Sequence, residues 1–217
     1  MAGNNLLVMK FGGTSVGSPD AMRQAVHICL ETRPAWDRLV IVTSALSGVT
    51  DRLIASAERA ARGDLSVFQA TLAELGQRHH AMLAELVRDP AIREQVRYQV
   101  DSLVSDFSNL CQAIHVLGEA SPRALDAVAA LGERLSVRLL AGALASAGLP
   151  AEPVESTRLV VTDGHFQNAV PDMDATARCT REVLEPLMDA GRVPVVTGFI
   201  GATPEGLTTT LRRGGSD

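Results

Sequence analysis

Aromatic side chains are scarce, with one Trp, one Tyr and five Phe in 217 residues. A core is still affordable with 46% hydrophobic residues, but Leu, Val and Ala must pack it. Cysteine is also sparse. Cys29, Cys111 and Cys179 lie far apart, form no CxxC, and read as buried thiols of a cytoplasmic protein. There is no excess of positive charge: the net charge is -5 and no long basic run occurs, which argues against a nucleic-acid partner. No stretch approaches the roughly 18 apolar residues of a membrane span. The first five residues hold no Lys or Arg, and Lys10 interrupts the apolar stretch that follows, so no secretion signal is expected. Internal repeats and low-complexity linkers are absent too. The length suits one large domain, or one domain plus a fragment of another. These absences leave a soluble, intracellular α/β protein.

The most informative stretch is Val8-Met9-Lys10-Phe11-Gly12-Gly13-Thr14-Ser15-Val16-Gly17-Ser18. Leu6 to Met9 reads as a short strand, and Ser18-Pro19-Asp20 as a helix start. A strand that empties into a glycine turn and then a helix suits an anion, because backbone N–H groups can approach it and the helix N-terminus adds partial positive charge. Lys10 adds a full charge. The spacing is neither Walker A nor GxGxxG, and a bare Gly-Gly turn after a strand is also ordinary. Leu39–Val42 is a second apolar run of strand length, suited to a sheet buried on both faces. Its exit, Ser44-Ala45-Leu46-Ser47-Gly48-Val49-Thr50, is again small and hydroxyl-rich. Two such exits point to one cleft at the carboxyl ends of a parallel sheet.

The pattern predicts helices over 19–33, 50–62, 65–88, 91–117 and 122–147, with Gly63-Asp64 and the residues before Pro90 and Pro122 as breaks. The middle third has no strand pattern and reads as a helical layer or an excursion over the cleft. His79 and His80 point about 100° apart on a helix, do not share a metal face, and are expected as a solvated or partly packed pair. His27, His115 and His165 carry no ligand spacing. Gly132 inside the last of these helices implies close packing or a local break, and Glu133 taken alone reads as a surface carboxylate. Strands are predicted at 151–155, 159–162 and 193–197, with a short extension at 166–170. A helix over 174–190 starts near Asp172 or Asp174. Pro194 places the start of its strand at an edge or a sheet end. Pro204-Glu205-Gly206 reads as the tip of a hairpin joining Phe199–Ala202 to Thr208–Leu211.

In chain order, Lys10-Phe11-Gly12-Gly13-Thr14-Ser15, Ser44–Thr50, Gly132-Glu133-Arg134, Thr197-Gly198-Phe199-Ile200-Gly201, Thr208–Leu211 and Arg213-Gly214-Gly215-Ser216-Asp217 resemble the aspartate kinases of the amino-acid kinase family. The likeness covers almost the whole chain, and its first and last motifs are the most specific. It implies a three-layer αβα sandwich with a mainly parallel central sheet. It also implies transfer of the γ-phosphoryl group of ATP, with Mg²⁺, to the side-chain carboxylate of L-aspartate, the first step toward lysine, threonine and methionine. By the same likeness Lys10 and Asp217 are catalytic. Lys10 neutralises charge on the transferred group, and Asp217 holds that lysine. Gly12, Gly13, Gly214 and Gly215 meet the phosphates. Arg213 clamps the α-carboxylate, Glu133 takes the α-amino group, and Ser44, Thr50, Phe199 and Ser216 line the amino-acid pocket. No metal-binding side chains are implied, and the intact protein is expected to be a homo-oligomer.

Two positions depart from the family pattern. Arg212 stands where a glycine is expected, and Leu207 where arginine is frequent. The chain also ends at Asp217, whereas the family continues through the rest of its nucleotide-binding part and then regulatory domains. The expectation is therefore an N-terminal, amino-acid-binding part of the kinase domain, with little turnover on its own. A catalytically silent amino-acid-binding or interaction protein of the same fold is the rival. Aspartate against glutamate depends on pocket depth, which the sequence does not show.

Overall fold

The structure is a computed structural model that describes residues 5–212. A strand β1 (Leu6–Phe11) leads into α1 (Pro19–Thr32), and β2 (Arg38–Thr43) follows. Four consecutive helices come next: α2 (Val49–Ala61), α3 (Ser66–Leu86), α4 (Pro90–Leu117) and α5 (Pro122–Ser146). After them come β3 (Ala151–Val154), α6 (Met173–Asp189), β4 (Val193–Thr197) and a hairpin of β5 (Ile200–Ala202) and β6 (Thr208–Thr210). Side-chain caps and prolines mark the starts. Ser18, Asp89, Ser121 and Asp172 each accept backbone N–H groups of the first helical turn, and Pro19, Pro90 and Pro122 open their helices. Replacing Ser121 by Ala leaves the Ala124 N–H without its cap, and is expected to cost about 1 kcal/mol in urea unfolding. An unchanged midpoint would show that the α5 start is held by packing instead.

The main sheet has the order β1-β2-β4-β3, all parallel. Alternation divides its side chains between two faces. Leu7, Met9, Leu39 and Ile41 join the large core with α1 and α5. Val40, Val42, Val154 and Val196 meet Leu184, Val183 and Leu187 of α6 on the other face. The topology explains this split. The chain crosses the sheet in one direction from β1 to β2 to β3, then returns to β4. Right-handed crossovers therefore put the last helix on the opposite face from the others. Strand exits that lead to opposite faces open a crevice at the carboxyl end of the sheet, where such folds bind ligands.

The α5 sequence is apolar nearly all round, and the helix is buried along most of its length, as that composition requires. It lies on the sheet, with α2, α3 and α4 packed outside it, so the helical layer is two deep on this face. With few aromatics available, Phe68 and Phe107 form one edge-to-face pair, centroids 5.7 Å apart, between α3 and α4. Among the described residues no helix is long and apolar enough to cross a membrane.

Several expectations need correction. Residues 159–162 do not form a strand. A single 3-10 turn at Ser156–Arg158 is followed only by bridges from Val161 to Ala202 and from Thr162 to Pro171. Residues 166–170 are a turn, with Gln167 left-handed at φ 67° and one bridge from Ala169 to Leu211. His79 is fully buried, whereas His80 is half-exposed and pairs with Asp101 at 2.7 Å. Cys29 and Cys111 are buried, but Cys179 is half-buried. Pro194 does lie toward a sheet end, as expected: β2 pairs with β4 only from Val195 onward, while on the β3 side Pro194 stands opposite Glu152.

Candidate active site

The exits of β1, β2 and β4 meet around α5. The amide of Ser44 donates to the Phe11 carbonyl at 3.1 Å, and the amide of Gly198 donates to the Thr43 carbonyl at 2.8 Å, so the three strand ends are laced together. Beneath them lies Glu133, 3% exposed. Its expected surface position is wrong because α5 is enclosed by the sheet on one side and by helices on the other. Gly132 settles the choice between close packing and a break. A Cβ there would lie 3.0 Å from the Ala45 Cβ and 3.3 Å from Val49 Cγ1, so the missing side chain lets the β2 exit loop lie directly on α5. That contact brings the Ala45 N–H to the Glu133 carboxylate.

One oxygen, Glu133 Oε2, has no hydrogen-bond partner. A Cβ built on Gly198 would lie 3.8 Å from it, so this oxygen faces the β4 exit. Burial pushes the Glu133 carboxyl up to about 8, and the Ala45 N–H and the Lys10 charge pull only part of the way back. The carboxyl is thus a dry, under-satisfied acceptor within the electrostatic reach of an exposed lysine at the end of β1. Such a group favours a ligand that brings a cation and N–H donors.

Phe199, half-buried, follows Gly198 with a left-handed φ of 61°. Ser44 is half-buried at the β2 exit, and Thr50 is half-buried in the first turn of α2 beside Val49. Gly12 has open space where a Cβ would project, so an anion can approach its backbone two residues after Lys10. On Gly13 a Cβ would lie 2.9 Å from the Ala45 carbonyl oxygen. Gly13 therefore serves first to let the β1 and β2 loops touch, and its carbonyl accepts the Ser47 N–H at 3.2 Å. Arg213, Gly214, Gly215, Ser216 and Asp217 lie outside the described residues. Among the described residues no cluster of His, Cys, Asp or Glu could hold a metal.

The amino acid kinase family profile matches residues 5–217. This chain belongs to the amino acid kinase family. Within that family it is 34% identical to lysine-sensitive aspartokinase 3 of Escherichia coli over 219 residues, 99% of this chain and 45% of that protein. It is 32% identical to an aspartokinase of Chlamydia muridarum over 97% of this chain and 43% of that protein. The crystal structure of E. coli aspartokinase III in complex with aspartate and ADP superposes with a TM-score of 0.85 at 30% identity, covering 98% of this chain and 44% of that one. The chain spans less than half the length of these relatives.

Three groups of this chain had no role assigned to them from the sequence. Ser156 donates its hydroxyl to the Ile200 carbonyl at 2.7 Å, and its N–H to Thr197 Oγ1 at 2.8 Å, which anchors the β4 exit. Arg134 pairs with Glu155 at 2.8 Å, alongside Arg138. Asp126 lies two turns before Glu133 on α5 and is buried. The only sequence signal for Asp126 was an acidic residue in register with the core face of an apolar helix.

Proposed function

We propose that the chain is the amino-acid-binding part of an aspartate kinase, which phosphorylates the side-chain carboxylate of L-aspartate to 4-phospho-L-aspartate. One observation carries this reading: the buried Glu133 carboxylate, with Oε2 unpartnered, faces the crevice where Lys10 and the Gly198-Phe199 turn converge. An α-ammonium group satisfies that oxygen and neutralises it. The β-carboxylate of aspartate is already an anion at neutral pH and needs no general base, so positioning and charge neutralisation suffice. Lys10 screens the repulsion between the two anions, and the open backbone at Gly12 admits a phosphate. ATP would supply the phosphoryl group, and Mg²⁺ would neutralise charge on its phosphates. The relative solved with aspartate and ADP supports both ligand classes. Arg213, Ser216 and Asp217 keep the roles that the family likeness implies, as do Gly214 and Gly215.

Because the chain spans less than half of its relatives, we expect the 217-residue protein to bind L-aspartate in calorimetry while forming little hydroxamate with ATP, Mg²⁺ and hydroxylamine. Whatever hydroxamate it forms should fall at least ~100-fold in Lys10→Ala, the order expected when a charge-stabilising group is removed. No detectable aspartate binding would sink the proposal. Abundant Lys10-dependent hydroxamate would show that these residues suffice for the whole transfer.

A further inference from the structure

Asp126 is 1% exposed and is surrounded by donors. The Gln167 N–H reaches its two oxygens at 3.1 and 2.9 Å, the Thr210 N–H reaches Oδ2 at 3.0 Å, and the Thr210 hydroxyl reaches Oδ1 at 2.7 Å. These donors come from the turn at 166–170 and from the end of β6, which the carboxylate holds against α5. Both segments lead to left-handed backbone. Gln167 and Phe199 are the non-glycine residues with positive φ among the described residues. Such backbone is strained and persists only where its surroundings over-determine it. Gln167 bonds Asp126 directly. Phe199 is tied through the β6 exit, since the Leu211 N–H donates to its carbonyl at 2.8 Å and Leu211 follows Thr210. The Ala169 N–H closes the set on the Thr210 carbonyl at 3.0 Å.

We propose that Asp126 is a positioning residue for the amino-acid pocket: through Thr210 and Leu211 it holds the Phe199 turn, and with it the chain leading to Arg212, in place over Glu133. The proposal rests on the aspartate-kinase reading for the identity of the ligand, but not for the tie itself. One helix then sets both sides of the pocket. Glu133 is the receptor, and Asp126, two turns away, is the clamp. A carboxylate suits the position because every contact is a donor. An amide of the same shape would turn an NH₂ group toward a backbone N–H and lose that contact, or toward the Thr210 hydroxyl and reverse that bond, leaving a single oxygen for the N–H donors of Gln167 and Thr210.

The test uses the 217-residue chain with Asp126→Asn, Thr210→Val and the double variant. L-aspartate calorimetry well below the melting midpoint is combined with amide hydrogen exchange. The expected result is aspartate affinity at least tenfold weaker in Asp126→Asn and a smaller loss in Thr210→Val. The double variant should be no worse than Asp126→Asn alone, because both changes break one tie. Exchange at the Gln167 and Leu211 amides should rise at least tenfold, while the Glu133 amide keeps its protection. A folded Asp126→Asn protein with unchanged aspartate affinity has only a structural aspartate there and overturns the proposal. Unchanged exchange at Leu211 overturns it as well. If the parent chain itself binds no L-aspartate, the ligand assignment has failed, and the exchange result still decides whether Asp126 holds the turn.

Discussion

Glu133→Gln is expected to weaken L-aspartate binding at least ~100-fold at pH 8, with the fold intact. Breaking a buried ion pair by removing one partner costs about 3–5 kcal/mol, which is two to three and a half decades of affinity. The pH dependence makes the test specific. In the free protein the carboxyl titrates at about 8 because burial disfavours its charge. A ligand ammonium needs the carboxylate, so affinity in the parent should rise close to tenfold per pH unit from about pH 6 and level off above 8. The glutamine variant should show a flat, weak profile over that range. Stability should move the opposite way. The unfolded carboxyl titrates near 4.5, so between 4.5 and 8 the unfolded state binds fewer protons than the folded one. This contribution is fully present below about pH 4.5 and is lost as pH rises through 8. The variant should therefore gain roughly 3–5 kcal/mol over the parent by pH 9 and little at pH 4.5. Equal aspartate affinity in both proteins at pH 8 would remove Glu133 from the site.

Acid sensitivity should trace to His79. Its ring is fully buried in α3, Nδ1 lies 2.7 Å from the Leu75 carbonyl, and Nε2 has no partner. Protonation would place a charge in the helical core, so burial pulls its titration from 6.5 down to about 4. Between those values the unfolded chain binds more protons than the folded one. The stabilising contribution is complete above about pH 6.5 and is lost as pH falls through 4, a change of about 3 kcal/mol. His79→Leu keeps the site apolar and cannot take up the proton. The difference in urea midpoint between the two proteins should open progressively from pH 7 to pH 4.5. Parallel midpoints over that interval would mean that the ring reaches water.

Much of the framework was legible because its signals are local. Ser18-Pro19, Asp89-Pro90 and Ser121-Pro122 cap their helices through atoms within one turn, so each start is written in neighbouring residues. The apolar runs 39–42 and 193–197 are buried on both faces of a parallel sheet, which demands that composition. Residues 159–162 misled because Leu159 and Val160 are apolar for another reason. They pack against the α6 side of the sheet, while their backbone bonds go to a 3-10 turn and to Ala202. The left-handed turns at Gln167 and Phe199 had no sequence cue, since neither residue type favours positive φ.

The candidate site divides along the same line. Lys10, Gly12 and the hydroxyl-rich exit at Ser44 could be picked out because strand, turn and helix start are contiguous in the chain. Short-range chemistry was therefore enough to set the order of elements and to mark where an anion could approach. The dryness of Glu133, the meeting of Gly132 with Ala45 and the clamp at Asp126 came only with the packed fold. The cost of a charge depends on everything that surrounds it, and the groups around Glu133 and Asp126 come from strands and loops far away in the chain.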